Sequence, residues 1–94
     1  MSQSKKEIKV KVPDEVLKGT YSNSVALRHS RGEFVMDFMT VYPPQGIVGA
    51  RIIVSPNHAK NLIKALQQNI DMYEKKFGVI PEDPLMEVPP ENVN

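Results

Sequence analysis

Ninety-four residues, with 12 Lys and Arg, 11 Asp and Glu, 40% hydrophobic side chains and no cysteine, support one domain with one small core. The missing cysteines exclude disulfides, thiolate zinc sites and cysteine nucleophiles. The formal charge of +1 hides a gradient, because residues 1–78 carry all 12 basic side chains against 7 acids (+5), and residues 79–94 carry 4 acids against none (−4).

The chain opens MSQSKKEIK without an apolar stretch of signal-peptide type, and no run approaches membrane-spanning length. A cytoplasmic location without a membrane partner is the expectation. Residues 1–6 are polar and expected to be disordered. Ile8, Val10 and Val12 then alternate with Glu7, Lys9 and Lys11, the period of a half-buried strand, and the lysines suit a sheet edge. Pro13 ends this strand, and Asp14 to Lys18 read as one helical turn closed by Gly19.

Alternation resumes at Tyr21 and runs to Ser30, with Tyr21, Val25 and Leu27 on one side and Ser22, Ser24, Ala26 and Arg28 on the other. Arg31-Gly32 reads as a two-residue turn in which glycine is free to take positive φ. The next strand, Glu33 to Tyr42, is apolar on both faces, which predicts a central position: Phe34, Met36, Phe38 and Tyr42 lie on one, Val35, Met39 and Val41 on the other. Pro43-Pro44-Gln45-Gly46 breaks it, and Ile47 to Val54 returns it.

Register follows from matching apolar to apolar. A hairpin loop with an odd number of residues sets Phe38 opposite Ala50, Met36 opposite Ile52 and Phe34 opposite Val54, whereas an even loop sets Arg51 opposite Phe38. Since a one-residue slip turns every side chain over, the odd register is preferred. It places Asp37 across from Arg51 with Arg28 diagonal to it, a structural ion cluster of Arg28, Asp37 and Arg51 in which one carboxylate sits between two guanidinium groups.

Residues 56–77, PNHAKNLIKALQQNIDMYEKKF, predict the long helix around which the rest is organised. Ser55 supplies a hydroxyl cap and Pro56 a first helical residue that needs no donor; Gly78 supplies the stop. Ala59, Leu62, Ile63, Leu66, Ile70, Tyr73 and Phe77 fall within an arc of roughly 100°, a stripe suited to lie on a sheet. Lys60, Lys64, Gln67, Gln68, Asp71, Glu74 and Lys75 form the solvated face. Ala65, Asn69 and Met72 run up one shoulder. Beyond the helix, Pro81, Pro84, Pro89 and Pro90 with four acids make residues 79–94 an irregular acidic tail.

Catalytic constellations are thin. His29 and His58 alone do not supply the three ligands of a catalytic metal site, Ser55 has no base placed beside it by sequence, and the glycines are dispersed at turns and caps, with Gly49 marking a bulge or close approach. No enzyme activity, metal or cofactor is expected. Lys5, Lys6, Lys9, Lys11 and Lys18, with Arg28 and Arg31, form a basic edge, so nucleic acid is the alternative partner, though no surface aromatics are interleaved with these cations.

Tyr21-Ser22-Asn23, Glu33-Phe34 with Asp37-Phe38, Ala50-Arg51-Ile52-Ile53 with Ser55-Pro56, His58-Ala59-Lys60, Leu66-Gln67 and Tyr73-Glu74-Lys75-Lys76-Phe77-Gly78 together resemble a prokaryotic family of small proteins catalogued as domain of unknown function 3467. That resemblance covers residues 20–78 and implies a self-contained strand, strand, strand, helix unit, with no catalytic residue to carry over. A looser likeness, of topology alone, is to the protomer of the SecB export chaperone.

The expected architecture is α+β: an antiparallel meander of about four strands with one long C-terminal helix packed on one face, in a single domain over residues 7–78. The sheet face bearing Ala26, Val35, Met39 and Val41 is too apolar for water, and another copy of the chain is expected to cover it, with Ala65, Asn69 and Met72 as further candidate interface. The function expected is a non-enzymatic, homo-oligomeric binding or adaptor module, chaperone-like, with a polypeptide as partner.

Overall fold

The computed structural model describes residues 7–82. Five elements follow in order: helix α1 (Asp14–Leu17), strands β1 (Ser24–His29), β2 (Phe34–Tyr42) and β3 (Gln45–Val54), and helix α2 (Pro56–Phe77). The strands form one antiparallel sheet in the order β1-β2-β3, with the strand that is apolar on both faces in the centre. The chain is α+β.

The register is the one that pairs apolar residues. Leu27 lies opposite Met36 and Ala26 opposite Asp37 across β1 and β2, and Phe34, Met36, Asp37 and Phe38 lie opposite Val54, Ile52, Arg51 and Ala50 across β2 and β3. The odd offset does not come from the loop. Tyr42 pairs with Gln45, so the loop is the two residues Pro43 and Pro44, joined by a cis peptide bond, and the extra residue is Gly49, bulged between Phe38 and Met39. A Cβ on Gly49 would stand 3.1 Å from the Thr20 methyl, so the bulge brings a second piece of backbone close to Thr20, which is why glycine is needed there.

One turn differs in detail from expectation, and the helix caps do not. Gly32 closes the β1-β2 hairpin, with the Ser30 amide donating to the Glu33 carbonyl, yet its φ is not positive, so the turn does not depend on left-handed freedom. Gly78 does adopt φ 101° as the cap of α2 and donates its N–H to the Glu74 carbonyl, a conformation that side chains resist. At the other end Ser55 accepts from the His58 amide through its hydroxyl, with Pro56 in the first turn.

Among the described residues the sheet has three strands, not about four. Residues 7–13 form no ladder, and Ile8 and Val10 are exposed. Alternation prepares a segment for a sheet, but a strand exists only when an edge pairs with it, and neither edge of this sheet does. β1 also starts at Ser24 and not at Tyr21, for a reason given below.

The larger correction concerns α2, which does not pack on its own sheet. No residue of the helix is buried, and among the described residues the extensive contacts between elements are those of β1 with β2 and of β2 with β3. Geometry accounts for this. A single residue, Ser55, joins β3 to α2, its backbone is extended (φ −73°, ψ 159°), and Pro56 fixes its own φ. That is shorter than the roughly 2–6 residues by which strands ordinarily hand over to a helix that folds back.

Among the described residues only Ala26, Met39 and Asp37 are buried, with Val41 packed against the first two. Residues 79–82 carry no regular structure. The disordered N-terminus expected at 1–6 and most of the acidic tail, 83–94, lie outside the described residues.

Candidate functional site

The most enclosed group is a charge. Asp37, in the middle of the central strand, is 0% exposed. Arg51 donates to both its oxygens as a fork, Nε to Oδ1 at 2.6 Å and Nη2 to Oδ2 at 2.9 Å, and Arg28 approaches Oδ2 with Nη1 at 3.5 Å. Cross-strand pairing dictates this, because Arg51 is directly opposite Asp37 and Arg28 is two residues along from Asp37's other partner, Ala26.

The Arg51 hydrogen bonds, then the charges of Arg51 and Arg28, hold the Asp37 carboxyl below its ordinary value of 3.8 against the opposing effect of desolvation. The same contact raises Arg51. The lid over the carboxylate is one side chain thick, since both arginines remain partly in water. With both oxygens bonded and its proton firmly off, Asp37 is a poor general acid or base; its arrangement locks three strands in register.

A second cluster explains where β1 begins. The Asn23 carboxamide stands in for a peptide unit: Oδ1 accepts from the Val41 amide at 2.8 Å and Nδ2 donates to the Val41 carbonyl at 3.2 Å. The Ser22 hydroxyl donates to the Met39 carbonyl at 3.0 Å, and the Thr40 hydroxyl donates to the Tyr21 carbonyl at 3.2 Å. Beside the one backbone bond from the Asn23 amide to the Met39 carbonyl, side chains thus continue the ladder for residues 21–23. The only sequence signal for this is that Ser, Asn and Thr bond to nearby backbone.

The residues expected at an interface divide. Ala26, Met39, Val41 and Val35 share the sheet face that carries the ion cluster, but Ala26 and Met39 are already buried within the chain. Ala65, Asn69 and Met72 lie on α2, apart from that face; Asn69 donates to the Ala65 carbonyl of its own helix, and Met72 is exposed.

Two apolar surfaces lie open instead. One is the α2 stripe, where Ile63 is 68%, Leu66 59% and Phe77 65% exposed. The other is the sheet face opposite the ion cluster, named the even-numbered face after the half-buried β2 residues Phe34, Met36 and Phe38 that it bears, where Leu27 is 57% and Ile52 44% exposed. A shallow depression of about 170 Å³ lies at the Pro43-Pro44 end, lined by Thr40, Tyr42, Gln45, Gly46 and Ile47, with no carboxylate or imidazole among them. Among the described residues no group of three or more His, Cys, Asp and Glu is placed to hold a metal ion, and no helix is long and apolar enough to cross a membrane.

A family model described as a protein of unknown function, DUF3467, matches residues 1–82. The chain belongs to this family. No curated protein and no solved structure matches it, so the expected likeness to the SecB protomer finds no support, and the sheet of the described residues has three strands. The DUF3467 match reaches beyond the segment 20–78 that carries the resemblance in sequence. Within that segment Ser22, Asn23, Asp37, Arg51, Ser55 and Gly78 each make a bond that shapes the sheet or caps the helix. For these positions the family pattern reads as a description of a fold.

Proposed function

We propose that this DUF3467 chain is a non-enzymatic, homo-oligomeric binding module that presents apolar surface to a polypeptide, as an adaptor or in a chaperone-like manner. The observation that carries the homo-oligomeric part of the reading is the helix: seven apolar side chains in one stripe of α2, none of them buried. Chains of this size that expose a contiguous apolar patch of several hundred Å² do so at interaction sites.

The fold around it is built for holding shape. Asp37, the group best placed for chemistry by enclosure, is fully bonded to two arginines. The odd-numbered sheet face, with Val35 and Val41 half-buried beside buried Ala26 and Met39, and the helix shoulder of Ala65, Asn69 and Met72 are further surface for a partner.

The test is binding of a defined probe, a reduced and carboxymethylated small protein held unfolded, followed by fluorescence anisotropy on the assembled protein. Saturable binding that weakens when Ile53, 55% exposed and paired with Val35 on the sheet face that carries the ion cluster, is replaced by Glu supports the reading. No binding, or binding indifferent to that substitution, contradicts the polypeptide-partner part of it.

A further inference from the structure

We propose that α2 of one copy lies with its apolar stripe on the even-numbered sheet face of a second copy, reciprocally, so that two chains exchange helices across a two-fold axis. The inference rests on the homo-oligomeric reading above and names the surfaces that meet.

Three observations lead to it. First, the two surfaces match each other and are kept apart within one chain. α2 has 22 residues and is about 33 Å long; β2 has 9 residues and spans about 30 Å. The one-residue link through extended Ser55 keeps the helix off its own sheet, so a sheet of equal length and like chemistry is supplied only by another copy.

Second, the area suffices. Leu62, Ile63, Leu66, Tyr73 and Phe77 on the helix, with Val25, Leu27 and Ile52 on the sheet, are 38 to 68% exposed. A large apolar side chain carries on the order of 150–200 Å², so these eight leave about 700 Å² open per chain, close to the roughly 800 Å² that each partner contributes to a stable interface. Half-buried Phe34, Met36 and Phe38 add to that.

Third, the polarity is right on both sides. The central sheet face has apolar residues at Val25 and Leu27, Met36 and Phe38, and Ala50 and Ile52, with no charge among them to leave unpaired. Docking the stripe there turns Lys60, Lys64, Gln68 and Asp71 outward into water. Because each chain offers one helix and one sheet face, reciprocal exchange closes at two copies.

The chain has no cysteine, so introduced thiols report position cleanly. Full-length Met36→Cys, at mid-sheet, and Leu66→Cys, at mid-stripe, are unfolded together, refolded as a mixture and oxidised under mild conditions, with light scattering on the same samples. The exchange predicts disulfides joining the two different variants, in several-fold excess over like pairs. Like pairs of Leu66→Cys alone mean that helices pair with helices, and like pairs of Met36→Cys alone mean that sheets pair with sheets; either result overturns the exchange while leaving the oligomer. A monomeric mass without cross-links overturns both. Leu27→Cys with Ile63→Cys is the second pair if either first variant fails to refold, and the same outcomes decide.

Discussion

Replacing Leu66 by Glu separates a chain that works alone from one that works in company. Leu66 is 59% exposed at the centre of the stripe, and Glu forms helix about as well as Leu. Within a lone chain the substitution is nearly neutral, within about half a kcal/mol. If the stripe is covered by a second copy, burying the open part of Leu66 contributes about 1–2 kcal/mol, since full burial of such a side chain is worth about 1.5–3 kcal/mol. A reciprocal interface contains the residue twice, and each Glu adds the cost of desolvating a carboxylate against apolar neighbours, about 1–3 kcal/mol at the least. The sum is about 4 kcal/mol or more, which raises the dissociation constant roughly a thousandfold. Sedimentation velocity over a concentration series reads this directly, and far-ultraviolet circular dichroism shows that the helix is retained. An unchanged dissociation constant with the helix intact would refute the reasoning; loss of helix would show that Leu66 holds up the single chain.

Other outcomes test the sheet and the caps. Asp37→Ala leaves Arg28 and Arg51 without their shared carboxylate and lowers the thermal unfolding midpoint by roughly 10 °C; a shift under about 2 °C would mean that the cluster is dispensable. The folded Asp37 carboxyl lies below its ordinary value of 3.8, so its contribution is present in full above that value. As pH falls through it toward the lower folded value, the unfolded chain takes up a proton that the folded chain refuses, and stability declines. Thermal melts between about pH 6 and about pH 3 should show a steeper acid limb for the natural chain than for Asp37→Asn. Asn23→Ala removes two bonds to Val41 and should cost about 1 kcal/mol in chemical denaturation, with hydrogen exchange rising at the Val41 amide. Gly78→Ala should destabilise by about 1 kcal/mol or more because φ is 101° there, while Gly32→Ala, with open space around it and no positive φ, should cost less than about half of that.

How far the sequence disclosed this fold depends on which residues are asked. α2 was legible to the residue because Ser55-Pro56 and Gly78 state its ends in cap chemistry. Sheet register was legible because a slip would put Arg51 against Phe38, and that argument holds whatever the loop does: the odd offset comes from Gly49, with an even loop at Pro43-Pro44. The start of β1 was hidden, since alternation does not reveal that Asn23 bonds Val41 with its side chain in place of its backbone. The fourth strand and the seat of α2 were misjudged for one reason. Residues 7–12 and the helix stripe each carry the pattern of a buried partner, and a pattern records that a partner is needed without recording whether it belongs to the same chain. Arg28, Asp37 and Arg51 meet because neighbouring strands bring them together; Ala65, Asn69 and Met72 stay apart from the sheet because Ser55 alone connects the two halves.

The central claim is that the exposed stripe and sheet face belong to an assembly. Its most direct test is the solution molar mass of the full chain by light scattering across a roughly hundredfold dilution. The account predicts a defined species at twice the 10.6 kDa chain mass, giving way to monomer only at the lowest concentrations. A monomer at every concentration would contradict it.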